Sequence, residues 1–514
     1  MRVQYLVAGL VLSAWSAAAP AAWQKASSPH FIIYADDKPE RLRAYAEKLE
    51  KFDQAVRYAR KMPDYPVGDG NRVTIYVTRT VSAVQRLAND QSRMVAGFYI
   101  PRAEGPLAFV PKTTGFADMD ADVVFFHEYA HHLMLQELDR PVPEWLVEGF
   151  AEFMSTATFE KDGRVALGRA ANHRAVGLFY TEGLPLETLL AGNYDRLTDI
   201  QRESIYGKGW LLTHYLAFSD TRKGQLDTYI NAIGKGTPAL DAARTAFGDL
   251  KQLDRDLDKY LKQRTILTLF IGADIFKPVA IDVQALSAGA AEVIPLRMES
   301  KRGVNGKTAE PLAVKVRKIE AAYPNDLLVE VTLAEAEIDS GHPQASEAAA
   351  DRALAIDPRN IEAMIFKGRA IIAGALESKT EDRKRFDEAR TWFLRANKLD
   401  TEDPEPLMEF YKSFVMEGLA PTKNAVEALH YASNLVPQDA GLRLNSAVRY
   451  LQDKDAKKAR ETLAPIAYDP HGRGMASMAR NMITKIDAGD AAGAKKLAEQ
   501  GETDEGDATG SQAH

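Results

Sequence analysis

Cysteine is absent from all 514 residues. That excludes disulfides, iron–sulfur clusters, cysteine nucleophiles and cysteine-ligated zinc. It also excludes a lipid-attached bacterial lipoprotein, which needs a cysteine at its cleavage site. Any metal must therefore be held by His, Asp or Glu. Basic charge is scarce as well. Sixty-five Lys and Arg stand against 72 Asp and Glu, a net charge of −7, whereas a nucleic-acid binder needs a basic face. Beyond the first segment, no apolar run reaches the ~20 residues of a membrane-spanning helix. What is present is globular in class. A hydrophobic content of 46% is enough to bury a sizeable core, and the length suggests about three modules.

The first module reads as an address. A short basic start is followed by an apolar run from Tyr5 to Trp15 and then by the small residues Ser16 to Ala22. This is the pattern of a secretory signal, with Ala19-Pro20-Ala21 meeting the small–x–small rule for cleavage. Residues 1–21 are expected to be removed, the alternative being an uncleaved anchor. The mature chain is then periplasmic or secreted, with no stable membrane span.

Residues 22–265 read as mixed α and β. His30 to Tyr34 and Arg72 to Val77 look like strands. Leu42, Tyr45, Leu49, Phe52 and Val56 recur in steps of three and four, the mark of a helix over Pro39–Arg60. Gly97–Ile100 and Leu107–Val110 flank a Pro101–Pro106 turn as a hairpin, either an edge on which an extended peptide can pair or an ordinary core hairpin. Helices dominate from Asp120. Residues 266–310 read as an irregular bridge.

Residues 311–490 repeat. Pro324, Pro358, Pro437 and Pro470 recur at intervals of 34, 79 and 33 residues. The long interval holds two repeats with an insertion, Ser378–Arg385, and its middle mark is Thr401. Ala353, Ala396 and Ala432 each sit five residues before such a mark. Small residues let two helices pack closely, and proline starts the next unit after a tight turn. Ala353-Leu-Ala-Ile-Asp-Pro-Arg-Asn360 resembles the end of a tetratricopeptide (TPR) unit. Residues 491–514 are read as a disordered tail.

The chemistry lies in His127-Glu128-Tyr-Ala-His131, an HExxH sequence inside a helical stretch. Residues four apart on a helix differ by about 40°, so both imidazoles leave one face on adjacent turns, the spacing needed to grip one zinc. Glu128 sits beside them, placed to take a proton from an attacking water. Pro141 and Pro143 break the helix, and Pro143 to Phe153 begins a second one. It can carry Glu148 opposite the histidine pair as a third ligand, which leaves a fourth position open, as a catalytic zinc requires. Glu152, one turn on, can accept the free N–H of a ligand histidine, His127. His132 points about 100° away from His131 and is not counted as a ligand. His214, in an apolar stretch, reads as packing, and His30 and His173 have no partners at ligand spacing.

His127-Glu-x-x-His131 followed by Trp145-Leu-Val-Glu148-Gly-Phe-Ala resembles the zinc site of the gluzincin metallopeptidases, above all the aminopeptidase-N and leukotriene-A4-hydrolase branch. The resemblance implies His127, His131 and Glu148 as zinc ligands, Glu128 as general base, and an α+β fold. That fold has a thermolysin-like domain, a small sheet plus active-site helices, followed by the α-helical TPR solenoid. Ile205-Tyr206-Gly-Lys-Gly-Trp210 resembles a further family segment whose tyrosine donates a hydrogen bond to the oxyanion, which implies that role for Tyr206. No G-x-M-E-N segment is present, and there is no room for the family's amino-terminal β-saddle domain, so exopeptidase action is not implied. The layout also resembles exported bacterial gluzincin-like proteins with a TPR array behind the peptidase. The expectation is an exported zinc metallopeptidase acting on a peptide or protein substrate, with a protein partner or substrate held by the array. The alternative is a non-catalytic TPR-based binding or assembly factor that keeps the zinc fold as a scaffold.

Overall fold

The computed structural model describes residues 23–65, 67–88, 97–112, 121–137, 142–180, 183–192, 194, 197–378, 383–467 and 473–508. The signal reading, Pro141 and Pro470 lie outside them. Strands β1 (Trp23–Ser27) and β2 (Phe31–Asp36) lead into helix α1 (Pro39–Arg60), and β3 (Val73–Thr78), α2 (Val81–Ala88), β4 (Phe98–Ile100) and β5 (Leu107–Pro111) follow. Next come α3 (Ala121–Glu137), α4 (Glu144–Ser155), β6 (Thr158–Phe159), β7 (Val165–Leu167), α5 (Ala175–Phe179), α6 (Leu186–Ala191) and α7 (Asp199–Phe218). Helices α8 (Gln225–Gly234), α9 (Ala239–Phe247) and α10 (Leu250–Leu261) follow.

The main sheet runs β4-β5-β3-β2-β1-β9, with β9 at Asp282–Ala285. Its centre is parallel, Phe31 opposite Val73 and Thr74 opposite Leu107, while β4, β1 and β9 are antiparallel to their neighbours. Side chains alternate along each strand, and here both faces are buried. Phe31, Ile33, Val73, Ile75 and Val110 face one core with α1 and α3. Tyr34, Tyr76, Phe109 and Leu107 face another, closed by Ile294 and Met298 of α11 (Ala288–Arg302).

The reading of 266–310 as a bridge is therefore corrected. Strand β8 (Leu269–Ile271) pairs with β7, β9 pairs with β1, and α11 covers the sheet. Pairing between residues so far apart in sequence leaves no local pattern, which is why these segments read as irregular.

Helix α12 (Ala309–Ala322) is followed by helical hairpins: α13 (Leu327–Asp339) with α14 (Pro343–Ile356), α15 (Ile361–Glu377) with α16 (Lys384–Leu399), and α17 (Pro404–Met416) with α18 (Lys423–Leu435). Helices α19 (Ala440–Gln452) with α20 (Ala456–Ala467) and α21 (Arg473–Asp487) with α22 (Ala491–Ala508) continue the series. The marker alanines Ala353, Ala396 and Ala432 are fully buried. The first helices also touch in succession, α11 on α13, α13 on α15 and α15 on α17, so they form a continuous row. This half is a TPR-like array of helix pairs, and the chain as a whole is mostly helical with a small sheet. Reading 491–514 as disordered is also corrected. Ala494 and Ala498 of α22 are buried in one cluster with Met482 and Leu463, an i, i+4 apolar pair that the acidic composition of the segment obscured. Residues 509–514 lie outside the described residues.

Candidate metal centre

Helix α3 is set by its aromatic side. Phe126 stacks on Phe52 of α1 at 4.0 Å between centroids, and Phe125 and Tyr129 pack on Phe31 of β2. Helix α4 is buried from Trp145 to Ser155. Two carboxylates four residues apart on so buried a helix need cationic or hydrogen-bonding partners, because desolvating an unpaired charge is costly. Glu148 faces the two histidines. His131 Nε2 lies 3.0 Å from His127 Nε2, and Glu148 Oε2 lies 3.2 Å from His127 Nε2 and 3.4 Å from His131 Nε2.

These three donor atoms fit zinc. A tetrahedral ion with bonds of ~2.0–2.1 Å has donor–donor edges of about 3.3 Å, and the observed triangle has sides of 3.0, 3.2 and 3.4 Å. The set is nitrogen and oxygen, as a chain without cysteine requires. The electrostatics are those of a cation cradle. Burial lowers the His127 pKa, but the hydrogen bonds with Glu148 and then Glu152 outweigh it and raise it to about 10.

Glu152 Oε1 lies 3.2 Å from His127 Nδ1. A donor N–H at Nδ1 leaves Nε2 free to face a metal. His173, which its spacing left without a partner, and Arg174, which the sequence did not single out, hold this carboxylate from outside. His173 Nε2 is 2.7 Å from Oε2, and Arg174 donates to Oε1 at 2.7 and 3.1 Å. Burial opposes the charge on Glu152, yet His127, His173 and Arg174 together hold its carboxyl well below the usual range. His173 and Arg174 lie in a short turn before α5, and nothing in their spacing announces the contact. Glu152→Ala is expected to weaken zinc binding by about 10–100-fold, read by competition with a chromogenic chelator. Unchanged affinity would remove Glu152 from the site.

Tyr206 comes from α7. Its ring is 6.0 Å from that of His127, and the Arg174 guanidinium lies over it at 4.6 Å. Burial first, then Glu148 and Glu128, push its hydroxyl well up, so it stays a protonated donor. The Glu128 charge also acts on Tyr99 of β4. The five residues from α3, α4 and α7 are thus drawn together with Glu152.

A close helix crossing makes this possible. A Cβ on Gly149 of α4 would sit 2.3 Å from the Gly209 carbonyl oxygen of α7, and one on Gly209 would sit 2.5 Å from the Trp145 carbonyl oxygen. The glycines of Glu148-Gly149 and Lys208-Gly209 are the sequence signal for this backbone approach.

Other histidines stand apart. His132 turns to the Tyr99 hydroxyl (2.6 Å) and Gln136 (2.9 Å), and burial, then Arg57, pushes it down to about 3. His214 is satisfied by the Tyr260 hydroxyl and the Gly168 and Leu267 carbonyls. His30 pairs with Glu50 and Asp64, and the nearby Asp53 is engaged by Arg57 and the Tyr129 hydroxyl. That cluster is an internal ion-pair network.

No protein-family model matches the chain, and no curated protein matches it. Some solved structures resemble part of it. A thermophilic TPR protein of Thermus thermophilus is 15% identical, over 34% of this chain and 89% of its own, with a TM-score of 0.29. Pseudomonas aeruginosa pilF is 19% identical over 41% and 90%, with a TM-score of 0.31. MamA MSR-1 C2 is 14% identical over 38% and 97%, with a TM-score of 0.25. At such scores the likeness carries no argument, and the repeat architecture rests on the helix pairing described above.

Proposed function

We propose that the chain is a zinc-dependent peptidase whose helical array is a protein-binding element. The observation that carries this reading is the convergence of His127, His131 and Glu148 donor atoms with Glu128 and Tyr206 close by. Zinc held there would polarise a substrate carbonyl and acidify a water. Glu128 takes the proton from the attacking water and delivers it to the leaving amine. The protonated Tyr206 hydroxyl donates to the developing oxyanion. The buried walls of α3, α4 and α7 exclude bulk water, which strengthens each of these interactions.

The substrate is an extended peptide. Strand β4 ends the sheet, and among the described residues no strand pairs with its outer edge. Tyr99 on this strand feels the charge of Glu128, so a peptide added to β4 would pass the base. Export belongs to the same reading and rests on residues 1–21. Among the described residues no helix is long and apolar enough to cross a membrane.

A second reading is favoured by the size of the array, whose helix pairs run from Leu327 to Ala508. In it the array is a binding module and the zinc fold a scaffold. One experiment separates the two. Purified protein is assayed for zinc and then for cleavage of a peptide library with chelator and with zinc restored. The peptidase reading expects stoichiometric zinc and zinc-dependent cleavage. Zinc without cleavage of any peptide would favour the scaffold, and no zinc at all would overturn the metal centre.

A further inference from the structure

The turn between β4 and β5 does not face solvent. Ala103, at its tip, is fully buried, and it packs in one cluster with Met408, Leu429, Ala432, Val436 and Leu442 of α17, α18 and α19. Its backbone N–H donates to Asp439 Oδ2 at 2.7 Å. The other Asp439 oxygen caps α19 at the Leu442 amide. On either side of Ala103, Arg102 donates to the Lys301 carbonyl of α11 at 2.6 Å, and Glu104 lies 3.7 Å from Arg369 of α15. Arg369 is itself held by Glu405 and Glu409 of α17, at 3.0 and 2.9 Å. Helices α11, α15 and α17 belong to the row described above, and α18 and α19 follow it, so the hairpin lies against that row and the helices at its end.

The same hairpin reaches the zinc helix. Tyr99 bonds His132 of α3 at 2.6 Å, and Gln438 of the α18–α19 turn is near enough to bear on the same hydroxyl. Strand β4 is thus tied on one side to the residue next to His131 and on the other to the array.

We propose that the helical array takes the chain's own β4–β5 hairpin as its ligand, and that this grip sets the position of β4 beside α3. A buried amide–carboxylate bond, a methyl in an apolar socket and a charged pair form a recognition set, and a partner that used this row would first have to displace the hairpin. Ala103, Asp439 and Tyr99 are positioning residues that act on the substrate edge through β4. The grip itself stands on the contacts above, and only its consequence for substrate rests on the peptidase reading.

The test is hydrogen–deuterium exchange on the full chain. Ala103→Glu places a carboxylate against Asp439 and overfills the socket. Asp439→Asn leaves the cap an oxygen but removes the charged acceptor for the Ala103 amide. Each is expected to speed amide exchange about tenfold in 98–109 and also in α17 and α19, while β2 and β3 keep their protection and so report an intact fold. Peptide KM is expected to rise several-fold with kcat nearly unchanged. Hairpin and array protection equal to wild type in both variants would overturn the proposal, as would loss of protection in β2 and β3 alongside the hairpin in both. Faster exchange in a protein that cleaves nothing, wild type included, would uphold the grip and remove the peptidase reading instead.

Discussion

Glu128→Gln is expected to lower peptide hydrolysis by about 10²–10⁴-fold while zinc remains bound at the wild-type level. The substitution keeps shape and hydrogen-bonding reach and removes only the ability to carry a proton at neutral pH. The three donor atoms belong to His127, His131 and Glu148, and the partner of His127 Nδ1 is Glu152, so the metal cradle is untouched. His131→Ala is the contrast, since it takes away one side of the donor triangle and should lose metal and activity together. The checks are kcat on a fluorogenic peptide found by library digestion, and metal content by mass spectrometry. Hydrolysis at the wild-type rate in zinc-loaded Glu128→Gln protein would sink the mechanism.

The second large effect falls on a residue with no side chain. Gly149→Ala puts a Cβ 2.3 Å from the Gly209 carbonyl oxygen and 2.5 Å from its carbon, closer than real Cβ atoms approach. The obstacle is backbone, so the two helices must separate by roughly 1 Å. Overpacking of this kind costs about 3 kcal/mol, the upper end of its usual range. Glu148 precedes Gly149 directly, and Tyr206 lies one turn before Gly209, so the same shift pulls both side chains away from the histidines. A lower Tm and weakened zinc binding are both expected. Gly474→Ala, whose Cβ meets nothing within 4 Å, is the control and should be neutral or slightly stabilising. A Gly149→Ala protein as stable and as tightly zinc-bound as wild type would show that α4 and α7 do not depend on this crossing.

What can be read from the chain alone follows how local each signal is. The face shared by His127 and His131 is a property of one helix turn, and the Glu148–Glu152 pair is a property of the next helix. The periodicity of Leu42, Leu49, Phe52 and Val56 likewise needs no knowledge of the rest. Tyr206 is reached through resemblance, since nothing in its neighbourhood announces the approach of α7 to α4 except two glycines. His173 and Arg174 lie beyond reach because their acceptor is fixed by tertiary packing. The same holds for β9, whose Ala285 lies opposite Gln24. The grip of the array on the hairpin is equally hidden, because Ala103 reads as an ordinary turn residue.

The return of β9 to the first strand bears on how such a chain is inherited and cut. A boundary drawn at residue 265 would strip β8, β9 and α11 from the sheets and bare Tyr34, Tyr76 and Phe109 to water. The stretch that closes the sheet-bearing half lies after α10 and immediately before the repeats. The two halves therefore cannot be shuffled as beads on a string, and a change in repeat number would have to occur distal to Leu442 to leave both the cover of the sheet and the contacts of the hairpin in place.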